Sequence, residues 1–517
     1  MRVSFVVLAS ILIPIGLGGQ EFSGPLVAAG RLRFEINSLF HFADQRFGRR
    51  MEGGALIERD EPLGFDFADA AVGSRMFPTL EDLEADLTTA AGAAITPLVL
   101  GQAHAVLTKD AVWLPIRLDV GIFDWLTVGT TVPFSRRRAE FVTTIQGDGA
   151  NVGGTPATAG DFLGSVLAAN AALETIETTL CTSSPSSPEC SQATSLLADG
   201  QSFHGALTRG YGGHGVFPLE GSDTGAALQA RVTALVNAYQ AVGVASFPSS
   251  IPLATAVLTQ AAYLDLVTTS AFGVAGDSLK TWRSPWEMGD VELHAYARLW
   301  EIGQETPVDG PAPTFRLEVG AGALFRLGSG RIDSPRNFID TGSGDGQNDI
   351  EVSAFGMLGV GRRLAISGDL RYGIQKSVLV LRRVTAPDRI FAPITAEQRV
   401  RWNPGDYMQL RVSPRVYLTE EVALAFDLRY FSKKTDRYRY VGAVSGPDPG
   451  LLELETEERL LGIGGGLVFS TVQSGRGRPV EARFLVQRAV SGSGGSTPQT
   501  WRAEVGLRLY RGLWGQR

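Results

Sequence analysis

The chain has 517 residues, of which 44% are hydrophobic and 20% charged, and it carries a formal net charge of -7 and 62 glycines. This length allows several soluble domains or one large barrel with insertions, and the acidic balance argues against a nucleic-acid-binding protein. No zinc, calcium or nucleotide motif occurs in the sequence, so no metal and no cofactor is predicted.

The first residues, MRVSFVVLASILIPIGLGGQ, predict a secretory signal peptide over 1–19. Arg2 precedes an apolar run over 3–17, and cleavage is expected near Gly18 or Gly19. The alternative is a short anchoring helix, but the run is shorter than the roughly 20 residues that a helical span needs. Since no later apolar run reaches about 18 residues, helical membrane spans are not expected.

Twelve segments show the alternation of apolar and polar residues that is typical of a half-buried strand. Near the end of the chain, for example, Trp501, Ala503 and Val505 alternate with Arg502 and Glu504. Many of these segments exceed the five or six residues usual in globular sheets. The predicted strands are 31–43, 112–121, 124–145, 286–300, 315–327, 350–360, 363–384, 398–415, 420–441, 453–472, 479–490 and 499–511.

The connections between these strands alternate strictly between long and short. The short or medium ones lie at 121–124, 301–312, 360–363, 416–419 and 473–478. The long ones lie at 44–111, 146–285, 328–346, 385–397, 442–452 and 491–498. An even-stranded outer-membrane barrel with both termini in the periplasm predicts this order, whereas a β-sandwich does not. We therefore predict an all-β fold, a transmembrane antiparallel β-barrel of about 12 strands with a helical extracellular insertion.

This interpretation divides the chain into four regions. The signal peptide at 1–19 is followed by N-terminal barrel strands at 20–145, which contain the long loop at 44–111. A helical insertion at 146–285 then precedes the C-terminal barrel strands at 286–517.

Helical periodicity appears only in the two longest connections. The predicted helices are 79–91, 161–180, 226–243 and 253–268. The insertion is expected to form either a cap over the barrel or a plug within it, and its helices are expected to pack on one another.

Two cysteines, Cys181 and Cys190, lie in CTSSPSSPEC. In an exported chain this spacing favours a local disulfide over free thiols. Further on, His204 and His214 flank the stretch HGALTRGYGGH, which we interpret as a glycine-rich loop because its spacing matches no metal motif.

The connection at 328–346 is rich in glycine, serine and aspartate, which raises the question of a calcium or phosphate site. An EF-hand register fails, because placing Gly346 at the required glycine puts Val352 where the bidentate glutamate belongs. The glycines are better explained as residues that tolerate positive φ in a turn. A weak cation site on Asp340, Asp345 and Asp349 is the alternative.

No catalytic motif is visible, and the chain is predicted not to be an enzyme. An outer-membrane hydrolase remains open as an alternative, since it would need only a hydroxyl or carboxylate cluster beside His41 or His294 on neighbouring strands.

The charged faces of the predicted strands point to the lumen of the barrel. These side chains either fill and stabilise a narrow barrel or line a solute path, and the sequence does not separate the two. The lumen-lining candidates are Arg316, Glu318, Asp369, Arg371, Arg411, Asp427, Arg429, Glu481, Arg483, Arg502, Glu504 and Arg508.

Three segments resemble an outer-membrane barrel family associated with the phenol meta-degradation pathway, which is distantly similar to porins for hydrophobic compounds. They are VGIFDWLTVGTTVPF (120–134), GDVELHAYARLWE (289–301) and LFRLGSGRIDSPRNFIDTGSGDGQNDIEVSAF (324–355). The resemblance implies uptake of small hydrophobic or aromatic molecules.

The predicted function is therefore passive transport of small hydrophobic or aromatic compounds across the outer membrane, with membrane lipid and a small-molecule solute as partners. One alternative is a sealed scaffold or binding protein that acts through 146–285. The other is the outer-membrane hydrolase.

Overall fold

The computed structural model describes residues 24–52, 55–303, 315–361, 363–443, 446–472 and 479–514. The predicted signal peptide at 1–19 and the predicted turn at 473–478 lie outside these residues, as does most of the turn at 301–312. Among the helices in these ranges, none has the length and apolar character needed to cross a membrane.

Twelve long strands dominate the structure. They are β1 Arg31–Ala43, β2 Gln102–Phe123, β3 Leu126–Gln146, β4 Val291–Ile302, β5 Phe315–Leu327, β6 Asp349–Val360, β7 Leu364–Ile374, β8 Tyr407–Tyr417, β9 Val422–Lys433, β10 Glu458–Ser470, β11 Val480–Ser493 and β12 Trp501–Gly512.

These strands form a closed antiparallel barrel. Each strand pairs with its neighbours in the chain, and β12 pairs with β1. Phe34 of β1, for example, lies between Leu509 of β12 and Leu118 of β2. Closure leaves no free sheet edge, so every strand has hydrogen-bonding partners on both sides. The predicted 12-stranded antiparallel barrel is confirmed.

The strand boundaries differ from the prediction in two ways. The second strand begins at Gln102 instead of 112. The predicted strands 363–384, 398–415 and 420–441 each contain a break that divides a barrel strand from a separate element. Those elements, Val378–Arg383, Glu397–Asn403 and Arg437–Tyr440, pair in a small three-stranded sheet beyond the barrel. Period-two alternation does not reveal which sheet a strand joins, and the sequence prediction therefore merged the two.

Long and short connections fall at opposite ends of the barrel, as predicted. At one end Asp124 and Trp125 alone separate β2 from β3. At the other end the chain makes long excursions at 44–101, 147–290, 328–348, 375–406, 434–457 and 494–500. We call the first the turn end and the second the loop end.

The two faces of the barrel wall differ sharply in chemistry. On β9, the outward-facing Leu424, Phe426 and Leu428 are 39%, 53% and 45% exposed, whereas Ala425 and Asp427 on the inner face are only 4% and 3% exposed. The same alternation runs around the barrel, so its outside is apolar and its inside is charged.

Five helices pack together at the loop end. They are α1 Thr79–Ala91, α2 Ala159–Ser183, α3 Pro188–Gly213, α4 Asp223–Ala241 and α5 Gln260–Thr268. Their buried side chains form one large hydrophobic core that continues onto the loop-end parts of β1, β2 and β3 at Ala43, Leu107 and Phe141. We call this helical unit the cap. Since α1 lies at 79–91, the cap draws on the connection at 44–101 as well as on the insertion at 146–285.

Helix α3 corrects the interpretation of HGALTRGYGGH as a loop. The helix begins at Pro188, where the Ser187 side chain accepts a hydrogen bond from the Cys190 N–H, and it runs through His204 to Gly213. Of the glycines in this stretch, Gly210 faces α1, where a Cβ would lie 3.5 Å from Leu83. A Cβ at Gly212 or Gly213 would have nothing within 4 Å.

The cap is held further by covalent and polar contacts. A disulfide joins Cys181 at the end of α2 to Cys190 at the start of α3. Tyr239 of α4 donates a 2.6 Å hydrogen bond to the buried amide oxygen of Asn170 in α2. Burial, helped by the nearby Asp199 carboxylate, raises the pKa of Tyr239 to about 12, so this hydroxyl stays neutral.

Candidate functional site: the charged lumen

The interior of the barrel contains a central cavity of about 290 Å³. Its wall combines charged side chains with the apolar groups of Tyr296, Phe355 and Met357. No residue of the insertion at 146–285 lines it. The helices therefore lie over the loop end of the barrel, while the space within the barrel is shaped by the strands and by Gly24 and Pro25 ahead of β1.

The sequence-predicted lumen candidates all lie at inward-facing positions of the strands. Half of them line the central cavity, namely Asp369, Arg371, Arg411, Asp427, Arg483 and Arg508. The others lie elsewhere on the same inner face. Arg316 pairs with Glu318, Arg502 with Glu504 and Glu481 with Arg508, whereas Arg429 donates to the neutral amide of Gln409.

One group of contacts centres on Asp119 of β2, which is fully buried. Arg33 donates to its Oδ2 at 2.7 and 2.9 Å, and Arg117 donates at 2.8 Å. His294 Nε2 lies 2.6 Å from Oδ1. Arg33 also donates to the carbonyl oxygens of Gly24 and Pro25, so this group ties the segment before β1 to the inner wall.

A second group joins β1, β11 and β12. Glu35 accepts from Arg508 at 2.8 Å and from Arg483 at 3.1 Å. Arg508 also donates to Glu481 at 3.2 Å, and Arg483 forms an ion pair with Glu504 at 2.5 Å. Each carboxylate thus shares its arginines with the next, which produces a chain of alternating charges across three strands.

Further along the wall, Asp427 of β9 is the centre of a third group. Arg411 and Ser413 donate to its Oδ1 at 2.5 and 2.6 Å, and the Gln487 amide donates to its Oδ2. Both carboxylate oxygens are therefore occupied.

Next to this group, Arg371 of β7 holds two carboxylates. Its Nε donates to Asp369 at 3.0 Å, and its Nη1 lies 3.5 Å from Glu351. The Tyr407 hydroxyl also donates to Glu351, at 2.5 Å.

A separate group lies towards the turn end. Glu301 of β4 pairs with Arg316 and with Arg298, each at 2.6 Å. Glu318 lies 4.0 Å from both arginines.

Charges removed from water are stable only when they are paired, because an isolated buried charge carries a penalty of several kcal/mol. The groups around Asp119, Glu35 and Asp427 meet this requirement through two or three partners each. They hold neighbouring strands in register and also make the wall of the cavity strongly polar. Structural filling and solute contact are therefore compatible roles for the same residues.

Sequence reasoning missed several members of these groups, including Arg33, Glu35, Arg117 and Asp119. A signal for two of them was present, because Arg33 and Glu35 alternate with apolar residues within the predicted strand 31–43. Asp119 and Arg117 carry the same pattern in β2. The sequence gives no sign of the contact between Gln487 and Asp427, since the two are 60 residues apart in the chain.

The two histidines considered for hydrolysis lie apart from each other. His294 of β4 is buried and bonded to Asp119, whose charge is already shared by two arginines. His41 lies near the loop end of β1, opposite Arg502 of β12. Within the described ranges, no serine, threonine or tyrosine hydroxyl forms a hydrogen bond with either ring, and the carboxylate beside His294 is that of Asp119.

The glycine-rich connection at 328–348 folds around an aspartate instead of a cation. Asp290 accepts hydrogen bonds from the N–H groups of Gly330 at 2.7 Å and Asp345 at 3.2 Å. A Cβ at Gly330 would lie 2.6 Å from Gly344 Cα, and a Cβ at Gly344 would lie 2.4 Å from the Asp290 carboxylate, which explains both glycines. Gly346 has φ +71°, the left-handed conformation that the sequence predicted for this loop.

The aspartates of the alternative cation site do not converge. Asp340 is bound by Arg331 at 2.6 and 2.9 Å, and Asp349 accepts from the Lys376 N–H at 3.1 Å. Burial, with the carboxylates of Asp349 and Asp290 nearby, raises the pKa of Asp345 to about 6. In the part of the chain that the structure describes, no three acidic, histidine or cysteine side chains form a metal-binding group.

Comparison with models of protein families finds no match, and comparison with curated proteins finds none either. Solved structures show distant likeness. An outer membrane channel from Pseudomonas putida F1 is 7% identical, with 95% of this chain and 100% of that chain covered and a TM-score of 0.41. A FadL homologue from Pseudomonas aeruginosa is 8% identical, with 94% and 90% covered and a TM-score of 0.27.

The translocator domain of the autotransporter NalP from Neisseria meningitidis is similarly distant, at 7% identity, with 93% and 89% covered and a TM-score of 0.28. Likeness at this level does not indicate what this chain binds or carries.

Proposed function

We propose that this protein is an outer-membrane channel through which small solutes cross passively, down their concentration gradient. The observation that carries the proposal is the closed 12-stranded barrel with an apolar outside and a charged inside that encloses a cavity. Alternation of lipid-facing and lumen-facing side chains is the arrangement that a barrel needs in a membrane. The predicted signal peptide at 1–19 would supply export to that membrane.

The distribution of aromatic side chains on the outside supports a membrane location. At the turn end, Phe123, Trp125 and Trp300 are each at least half exposed. At the loop end, Phe42 and Trp501 are 43% and 45% exposed. Aromatic girdles at both rims of an apolar band mark the two lipid–water interfaces of outer-membrane barrels.

For the solute class, we propose small compounds with an apolar or aromatic body. Tyr296, Phe355 and Met357 provide the apolar part of the cavity wall. The sequence resemblance to barrels associated with aromatic degradation agrees with this choice. The insertion at 146–285 would then act as a cap that controls access from outside.

Two other functions have specific observations in their favour. The paired lumen charges and the large hydrophobic core of the cap fit a sealed scaffold that works through 146–285. The hydrogen-bonded pair of His294 and Asp119 fits a hydrolase only if the bound substrate brings the nucleophile with it.

The test is single-channel conductance of the purified protein in a planar bilayer, with and without small aromatic solutes, for the full chain and for a variant lacking 146–285. We expect discrete conductance that an aromatic solute blocks, and equal or larger conductance after the deletion. A folded barrel that conducts in neither form would overturn the channel proposal and favour the scaffold. Hydrolysis that survives replacement of both His41 and His294 would exclude the hydrolase built on them.

A further inference from the structure

The loop-end half of the lumen carries a concentration of arginines. Arg411 of β8 and Arg429 of β9 lie directly opposite each other on the inner face. Arg502, Arg411 and Arg371 repel the charge of Arg429, and Asp427 attracts it more weakly. Like charges on directly opposed strand positions destabilise a sheet, so this arrangement needs a compensating partner.

The carboxylates nearby are already occupied. Asp427 is held by Arg411, Ser413 and Gln487, and Glu504 is held by Arg502 and Arg483. They therefore leave little negative charge for Arg429.

Arg429 itself has only a neutral partner. Among the described residues, its one hydrogen bond goes from Nη2 to the Gln409 amide oxygen at 2.8 Å, and its buried Nε has no acceptor. A largely buried guanidinium without a carboxylate is unfavourable unless an anion from outside the chain approaches it.

One position of the wall beside Arg429 carries no side chain. Across the pair with β10, Arg429 lies opposite Gly462, and the next strand places Ala489 opposite Gly462. A Cβ at Gly462 would meet only two backbone oxygens within 4 Å, at 3.7 and 3.9 Å. We call this stretch of the inner face, at Arg429 and Gly462, the Arg429 recess; the neighbouring Arg411 and Arg371 line the central cavity.

We propose that this recess, the Arg429 recess, binds the carboxylate of a small amphiphilic solute, such as an arylcarboxylate, whose apolar body occupies the central cavity. A guanidinium presents N–H donors in a fork that matches the two oxygens of a carboxylate. Tyr296 and Phe355 supply the apolar wall for the rest of the molecule. This inference rests on the proposed channel function and narrows its solute to compounds with one negative charge.

The test compares benzoate with benzyl alcohol, which has an aromatic ring but no charge. Binding of each to the purified full-length protein is measured by calorimetry at fixed chloride, and block of single-channel current is measured in parallel. In Arg429→Gln we expect benzoate to bind at least about tenfold more weakly, which corresponds to loss of a charge-assisted hydrogen bond of about 1.4 kcal/mol or more. Binding of benzyl alcohol should not change, and Arg429→Lys should restore part of the loss.

The matched control is Arg298→Gln, which removes the same charge from the lumen at a position where Glu301 is the partner. Its benzoate affinity should equal that of the unmodified protein. Benzoate that does not bind, or that binds Arg429→Gln and Arg298→Gln alike, would overturn the recess. If the protein conducts but benzoate has no effect, the channel proposal stands and the recess proposal is wrong. If benzoate binding depends on Arg429 but the protein does not conduct, the recess proposal stands and the channel proposal is wrong.

Discussion

The barrel and the cap bury opposite kinds of side chain. In the cap, Phe77 and Leu83 are completely buried in an apolar core. In the barrel, Asp119 and Glu35 are buried instead, at 0% and 3% exposure, while Phe484 and Leu467 face outward. The cap is therefore stabilised by the hydrophobic effect in water, whereas the barrel depends on strand pairing, lumen ion pairs and lipid on its outer face.

This difference predicts that the two regions respond to different perturbations. Removing an apolar side chain should lower the stability of the cap when it comes from the cap core, but should have little effect when it comes from the outer face of the barrel. Removing one partner of a buried ion pair should lower the stability of the barrel far more than removing one partner of an ion pair at the surface.

The largest expected effect is on the cap core. Phe77 stacks on Phe391 with ring centroids 4.6 Å apart and contacts Tyr263 and Phe272 edge-on. Phe77→Ala should lower the free energy of unfolding of the cap by about 3–5 kcal/mol. Limited proteolysis across a denaturant series measures it. Phe484→Ala, on the outside of the barrel, is the control and should leave both the cap and the heat-dependent gel mobility of the barrel unchanged.

The next effect is on the lumen. Glu35→Gln leaves Arg508 and Arg483 without a shared carboxylate, so we expect a loss of about 3–5 kcal/mol in barrel stability, at most equal to the cap effect. Denaturant unfolding in lipid or detergent reports it. Glu58→Gln breaks an ion pair with Arg49 whose glutamate is 40% exposed, and it should cost less than about 1 kcal/mol. Equal losses in the two variants would contradict the role of burial.

The disulfide should matter to the cap alone. Cys181 and Cys190 are nine positions apart, and constraining so short a loop is worth roughly 2–3 kcal/mol in the chain-entropy model. Replacing both with serine should lower the denaturant midpoint of the cap and leave barrel unfolding unchanged. A drop in barrel stability would show that the two regions unfold together.

The smallest effect is a pH dependence of the connection at 328–348. The pKa of Asp345 is raised to about 6, so its folded form holds a proton that the unfolded form releases near pH 4. Its contribution to stability is therefore largest at low pH and is lost as the pH rises through 6. Asp345→Asn should reduce the fall in melting temperature between pH 5 and 7 by about 1–2 °C. An unchanged profile would assign the dependence to another group.

Much of the barrel could be predicted from the sequence because alternation and the order of connections are local signals. The charged faces were visible too, as with Arg483 and Arg508. Their partners were not, because Glu35 and Arg508 are 473 positions apart and meet only when β12 closes on β1. Helix α3 was missed because the four glycines of HGALTRGYGGH are typical of a turn, although only Gly210 among them packs against other elements.

The most direct test of the barrel as a solute path places a cysteine in its lumen. Ser353 lines the central cavity, and the two natural cysteines are joined to each other, so Ser353→Cys would carry the one free thiol. A membrane-impermeant, charged methanethiosulfonate added to the reconstituted protein should reduce its conductance, while Ala503→Cys on the outer face should be unaffected. A current that is unchanged although Cys at 353 is fully modified would contradict a path through this lumen.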